Sequence, residues 1–178
     1  MNADNRDVNF ELLEEVIYGA KMGMSACQTL LTKTRDADIL GSLNAQIEQY
    51  GAVKTDAENE MRTRGYKAGT CCLGETGMKL GVHMNTLIDS SPSHIAEMLI
   101  EGSTMGVIDI TRAQNRFAGA DENVAGLAQR LCDIERGNID AMEKRYRDLF
   151  EKNREQLSGK KVFVSGGPGR LIGLLHTL

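Results

Sequence analysis

Residues 10–31 carry apolar side chains at a strict three-four spacing, and that spacing limits what the chain can fold into. Phe10, Leu13, Ile17, Ala20, Met24, Cys27 and Leu31 step by 3, 4, 3, 4, 3 and 4. Side chains three and four apart stand on one face of an α-helix, so this stretch makes a single apolar seam that must be covered by other helices. Asp7 stands where an N-cap belongs, and Glu11, Glu14 and Glu15 lie towards the favourable end of the helix dipole.

The pattern returns three times. Asp36 or Asp38 starts a second helix, whose seam runs Leu40, Leu43, Ile47, Tyr50, Ala57 and Met61, and fades by Gly65. The short link between the first two seams predicts an antiparallel helical hairpin. Ser91-Pro92-Ser93 opens a third helix, because Ser caps and Pro is tolerated in the first turn. Its expected core positions are Ile95, Leu99, Gly102, Met105 and Phe117. Gly119-Ala120-Asp121 ends it and caps a fourth, with Val124, Leu127, Leu131, Ile134, Asn138, Met142 and Leu149 in the seam. Asn138 falls on that seam and is expected to be a buried polar residue that sets helix register.

Between the two hairpins, residues 66–91 are rich in glycine and hold Cys71 and Cys72. They read as a long crossover containing a short helix around Met78, Val82, Leu87 and Ile88. Composition agrees with an all-α fold: aromatics are only 4%, Trp is absent, and nine Met join Leu, Ile and Ala in filling apolar positions. The expected architecture is a four-helix bundle over residues 1–157, two hairpins joined by one long crossover. A flexible hinge and an apolar C-terminal tail over 158–178 follow it.

This arrangement resembles the ferritin-like superfamily, and more narrowly uncharacterised bacterial four-helix proteins of that class. The residues that carry the resemblance are Ser91 to Leu99 (SPSHIAEML) with Glu101-Gly102, and Ile134-Glu135-Arg136-Gly137-Asn138, over roughly residues 8–152. A di-iron site of that class takes a Glu from each of two helices and a Glu-x-x-His from each of the other two. The resemblance offers Glu14, Glu48, Glu101 and Glu135 as metal-ligand positions. Three residues after Glu48 stands Gly51, and three after Glu135 stands Asn138, so both histidines of the pattern are replaced. The three His of the chain, His83, His94 and His176, lie elsewhere. The bland reading of the four Glu is that each flanks an apolar seam and faces solvent. With the histidines replaced, no cofactor is the first expectation and iron held by carboxylates alone is the alternative.

Other chemistry is poorly supported. Cys71 and Cys72 are adjacent and lack the spacing of a Cys-x-x-Cys chelate. His94, the third residue of its helix, should meet solvent or Glu97. Gly166-Gly167-Pro168-Gly169-Arg170 lacks the Gly-Lys-Ser/Thr ending of a phosphate loop. A polar start at Met1–Asp7 predicts no signal peptide, no stretch approaches 18 apolar residues, and four Cys form no disulfide framework, which together predict a cytoplasmic protein with reduced thiols. A net charge of −4 disfavours nucleic acid and anionic membranes as partners.

The tail is the least bland segment. Lys160, Lys161 and Arg170 are its only charges, giving +3 against −7 for the rest of the chain. Leu171, Ile172, Leu174, Leu175 and Leu178 follow the Gly-Pro hinge, and so many large apolar groups at a terminus call for a surface to bury them. The run Arg170-Leu171-Ile172-Gly173-Leu174-Leu175 resembles the short Gly/Leu-rich peptides that load cargo into encapsulin shells. The resulting expectation is a non-catalytic interaction protein, a homo-oligomer that self-assembles or docks to a protein shell through Leu171, Ile172, Leu174 and Leu175. A ferritin-like di-iron oxidoreductase or iron-handling protein is the alternative.

Overall fold

The computed structural model describes residues 7–66 and 90–157, which form four helices and, among the described residues, no strand. They are α1 (Val8–Leu31), α2 (Ala37–Thr63), α3 (Pro92–Arg116) and α4 (Glu122–Leu157). The start signals act as their chemistry dictates. Asp7 accepts from the Asn9 N–H at 2.9 Å, Asp36 from the Ile39 N–H at 3.0 Å, and Ser91 from the His94 N–H at 3.4 Å. Gly65, at φ 73°, adopts the left-handed conformation that closes α2. His94 meets Glu97, with Nδ1 3.3 Å from Oε2.

Contacts at the two ends of the bundle fix its topology. Asn9, at the start of α1, accepts from the Asp121 N–H at 2.7 Å, and Arg64, at the end of α2, reaches the Asp121 carboxylate at 2.7 Å. At the opposite end Arg145 of α4 grips the Asp36 carboxylate at 3.0 and 2.8 Å and that of Asp38 at 2.9 Å. The α3–α4 turn therefore sits with the start of α1, so α4 runs parallel to α1 and α3 runs parallel to α2. The chain leaves α2 at one end and enters α3 at the other, a distance of about 40 Å for a helix of 27 residues. Two antiparallel hairpins are what the seams predict; the expected crossover between them, with its short helix around Met78, Val82, Leu87 and Ile88, lies outside the described residues.

The core is one cluster drawn from all four helices, with Leu12, Leu13, Leu30, Ile39, Leu43, Val53, Ile95, Val124 and Leu131 among its buried members. Each helix buries part of its expected seam, Leu43, Tyr50, Ala57 and Met61 in α2 for example, and elsewhere buries a neighbouring residue instead; in α1 Leu12, Val16 and Leu30 are buried while Phe10, Met24 and Leu31 are half-buried. In α2 the buried face also carries Ile39, Gln46 and Val53 where Leu40 and Ile47 were expected. In α3 Ser103 is buried, and Met105, expected inside, is 46% exposed. In α4 Ala128 and Glu135 are buried where Leu127 and Ile134 were expected. Asn138 and Met142 are buried as expected. For Gln46, Ser103 and Glu135 the physical reason is that Tyr50, almost fully buried, fills the middle of the bundle with a large ring and a hydroxyl. The helices around it turn small or hydrogen-bonding residues inward at that level.

Candidate functional site

The middle of the bundle is a polar layer. The Tyr50 hydroxyl of α2 donates to Glu135 Oε2 of α4 at 2.7 Å and accepts from the Asn138 amide at 3.0 Å. Glu135 and Asn138 are one helical step apart, so both flank the same hydroxyl. Beside them the Cys27 thiol of α1 donates to Gln46 Oε1 of α2 at 3.3 Å. Ser103 of α3 also acts on the Glu135 carboxylate as a hydrogen-bonding group. Two glycines make room. A Cβ on Gly23 of α1 would lie 2.5 Å from the Tyr50 ring, and one on Gly106 of α3 would lie 2.5 Å from Glu135 Oε1.

Burial dominates the electrostatics of this layer. Glu135 is 4% exposed, and loss of hydration raises its carboxyl from the usual 4.5 to about 7, against the lowering effect of Tyr50 and Ser103. Burial likewise pushes the Cys27 thiol up to about 12, with the neighbouring Glu135 charge adding to the effect, so the thiol is protonated and unreactive. The Tyr50 hydroxyl is raised by burial and by Glu135, and stays a donor.

A cleft of about 480 Å³ between α1 and α3 leads to this layer. Glu135, Tyr50, Gln46, Cys27 and Ser103 form its inner end, and Met22, Met98 and Leu99 contribute to its walls. Its lining also carries Glu11, Glu14, Glu15 and Asp109, against Arg112 and Arg116. Tyr18, also in the lining, has a buried hydroxyl without a hydrogen-bond partner among the described residues.

The four Glu that the ferritin-like resemblance offers do not share a site. Glu135 is buried in the polar layer, Glu14 is half-buried in the cleft lining, and Glu48 and Glu101 are exposed on α2 and α3. Among the described residues no group of three or more His, Cys, Asp and Glu is arranged to hold a metal ion. Where a two-iron centre needs several carboxylates and two imidazoles, this layer offers one carboxylate with Tyr, Asn, Gln, Ser and a protonated Cys. That donor set does not fit such a centre. The tail residues Leu171, Ile172, Leu174 and Leu175, and Cys71, Cys72, His83 and His176, lie outside the described residues.

Gln46, Ser103 and Gly106 were not singled out by the pattern of apolar residues. One signal does find two members of the layer: the buried face of α2 counts 39, 43, 46, 50, 53, 57 and that of α4 counts 124, 128, 131, 135, 138, 142. Alternating steps of four and three carried through polar positions place Gln46 and Glu135 inside. Comparison with protein-family models, with curated proteins and with solved structures gives no significant match. No helix among the described residues is long and apolar enough to cross a membrane.

Proposed function

We propose that the chain is a ferritin-like bundle that works by non-covalent association, not by metal redox chemistry. It binds copies of itself or a protein shell through the apolar tail that follows the Gly-Pro hinge. One observation carries the first half of this reading. At the centre of the bundle, Tyr50 is held between Glu135 and Asn138, so side chains satisfy one another in the layer from which inward carboxylates of a metal centre would project. The sequence of the tail supports the second half: five large apolar side chains and a charge opposite to the body. Burial of each large side chain contributes about 1.5–3 kcal/mol, and ordering the peptide costs about 1–2 kcal/mol per residue, so one tail binds modestly and many tails on one assembly bind strongly.

Two measurements test the reading together. Protein purified under native conditions is expected to hold far less than one iron per chain and to leave the aerobic oxidation rate of ferrous iron unchanged. Removal of residues 165–178 is expected to preserve helix content by circular dichroism and to abolish higher assembly in size-exclusion chromatography. Two irons per chain, lost on Glu14→Ala with Glu135→Gln, would replace this reading with a carboxylate iron site. Assembly that survives truncation would remove the tail from the account.

A further inference from the structure

We propose that the α1–α3 cleft is a binding site for a small organic cation with an apolar body, an alkyl- or arylammonium, whose charged head docks against Glu135. This deepens the association reading by naming a ligand class for the bundle itself, and it does not depend on the tail.

The size of the cleft suits a small molecule: about 480 Å³ falls within the roughly 300–1,000 Å³ of sites for such ligands. Among its fully buried lining residues Glu135 is the single ionisable carboxylate, and none is basic. Tyr50 engages Oε2, while Oε1 lies over the backbone of Gly106, itself part of the cleft lining. A buried carboxylate without a counter-charge prefers to hold its proton, and an incoming ammonium group supplies the missing charge. Among the lining residues, five acids face two arginines. Arg112 lies 3.4 Å from Asp109, Arg116 stacks 5.3 Å over the Phe117 ring and draws on the Glu15 carboxylate, and neither acts on Glu135. The field of the cleft therefore favours cations and opposes carboxylates and phosphates. The walls supply the other half of the recognition. Met22 and Met98 are pliable and polarisable, and pack around alkyl or aryl bodies of varied shape. The unpartnered Tyr18 hydroxyl offers an oxygen to an N–H of the ligand.

Proton linkage follows from this geometry. Tyr50 of α2, Cys27 of α1 and Ser103 of α3 face Glu135, and none of them carries charge at neutral pH. The charged groups in the lining are Glu11, Glu14, Glu15, Asp109, Arg112 and Arg116. With the Glu135 carboxyl titrating at about 7, only its ionised form pairs with the cation, so binding releases a proton. Affinity is expected to weaken about thirtyfold from pH 8 to pH 5.5.

The test is calorimetric titration of the full chain with butyl-, hexyl- and octylammonium, and with hexanol and hexanoate, at pH 5.5, 6.5, 7.5 and 8.5. The ammonium series should bind with affinity rising with chain length and with pH, ahead of hexanol, and hexanoate should give no heat of binding. Glu135→Gln should weaken hexylammonium binding on the order of ten- to a hundredfold and flatten its pH dependence. Gly102→Leu is the second variant. Gly102 is in the cleft lining and a Cβ there meets nothing within 4 Å, so leucine fills the cleft without straining the helix. It should abolish binding while leaving the melting temperature unchanged or higher. Equal affinity for hexanol and hexylammonium, unchanged binding in either variant, or no binding at millimolar ammonium would overturn the proposal. Metal content and assembly are measured without any amine, so failure here is distinguishable from failure of the association reading.

Discussion

Glu135→Gln should make the protein more stable at alkaline pH and leave it nearly unchanged at acid pH. Glutamine has the shape of protonated glutamate, and its amide oxygen can accept the Tyr50 hydroxyl proton as Glu135 Oε2 does at 2.7 Å. The sign follows from linkage. The carboxyl titrates at about 7 in the folded chain against 4.5 when unfolded, so between these values the folded state holds the extra proton. Stability then falls as pH rises through that window. Below 4.5 both states are protonated and the side chain costs nothing. Above 7 both are ionised, and the folded state carries the full penalty of a buried charge. At 1.36 kcal/mol per unit, the difference amounts to about 3 kcal/mol. For a chain of this size that is roughly 6–12 °C in Tm.

The assay is urea unfolding of both chains at pH 4.5, 5.5, 6.5, 7.5 and 8.5, read as the difference between them. Asp7 is held below the usual carboxylate range, chiefly by the Tyr66 hydroxyl. Asp36 is also held low: burial acts against this, but the Ile39 N–H and Arg145 outweigh it. Both groups lose stability as pH falls, but they are common to the two chains and cancel in the difference. The expected difference is near zero at pH 4.5 and grows to about 3 kcal/mol in favour of glutamine at pH 8.5. A difference that does not change with pH, or a glutamine chain that is weaker at pH 8.5, would refute the account of this buried carboxyl.

Two further outcomes follow from packing. Gly23→Ala should destabilise by about 1–3 kcal/mol, because its Cβ would lie 2.5 Å from a Tyr50 ring pinned by two hydrogen bonds. Gly41→Ala, where a Cβ meets nothing within 4 Å, should stabilise by about 0.5–1 kcal/mol through helix propensity. Thermal melts of the pair check both signs. Ile17→Asp should cost several kcal/mol by burying an unpaired charge, whereas Tyr18→Asp, on the half-buried cleft face, should cost much less. Equal losses would mean that the α1 face is misassigned.

Most of the fold was legible because two kinds of sequence signal are strong and local. Caps are chemistry at one position: Asp7, Asp36 and Ser91 each accept a backbone N–H of the first turn, and the sequence names Asp7 and Ser91 and narrows the other to Asp36 or Asp38. Seams are repetition, and four of them give four helices. The register within a helix was less legible. Ile47 and Gln46 are neighbours, as are Ile134 and Glu135, and hydrophobicity alone chooses the isoleucine each time. Those isoleucines sit half-buried at the edge of the core while the polar neighbour points inward. What decides the matter is non-local. Tyr50 and Glu135 are 85 residues apart in sequence and 2.7 Å apart in space, and nothing in either seam announces the pairing.

The polar layer is costly, and its cost bears on its role. Leucine-like residues at Gln46, Tyr50, Glu135 and Asn138 would give an ordinary apolar core, and replacing buried charged or polar groups by packed apolar ones is often neutral or stabilising. Here the layer sets two glycines against Tyr50 and Glu135, and keeps a carboxyl near neutrality that destabilises the fold whenever it ionises. A register device alone would need only an uncharged residue such as Asn138 with its Tyr50 partner. Glu135 shares the pairing with Tyr50 that Asn138 also makes, but it alone brings an ionisable group, and it lines the cleft. A destabilised ionisable group at the end of an open cavity is the arrangement expected where stability has been exchanged for a binding site. The stability gained by Glu135→Gln at high pH and the affinity lost by the same change should therefore appear in one variant, over the same pH window.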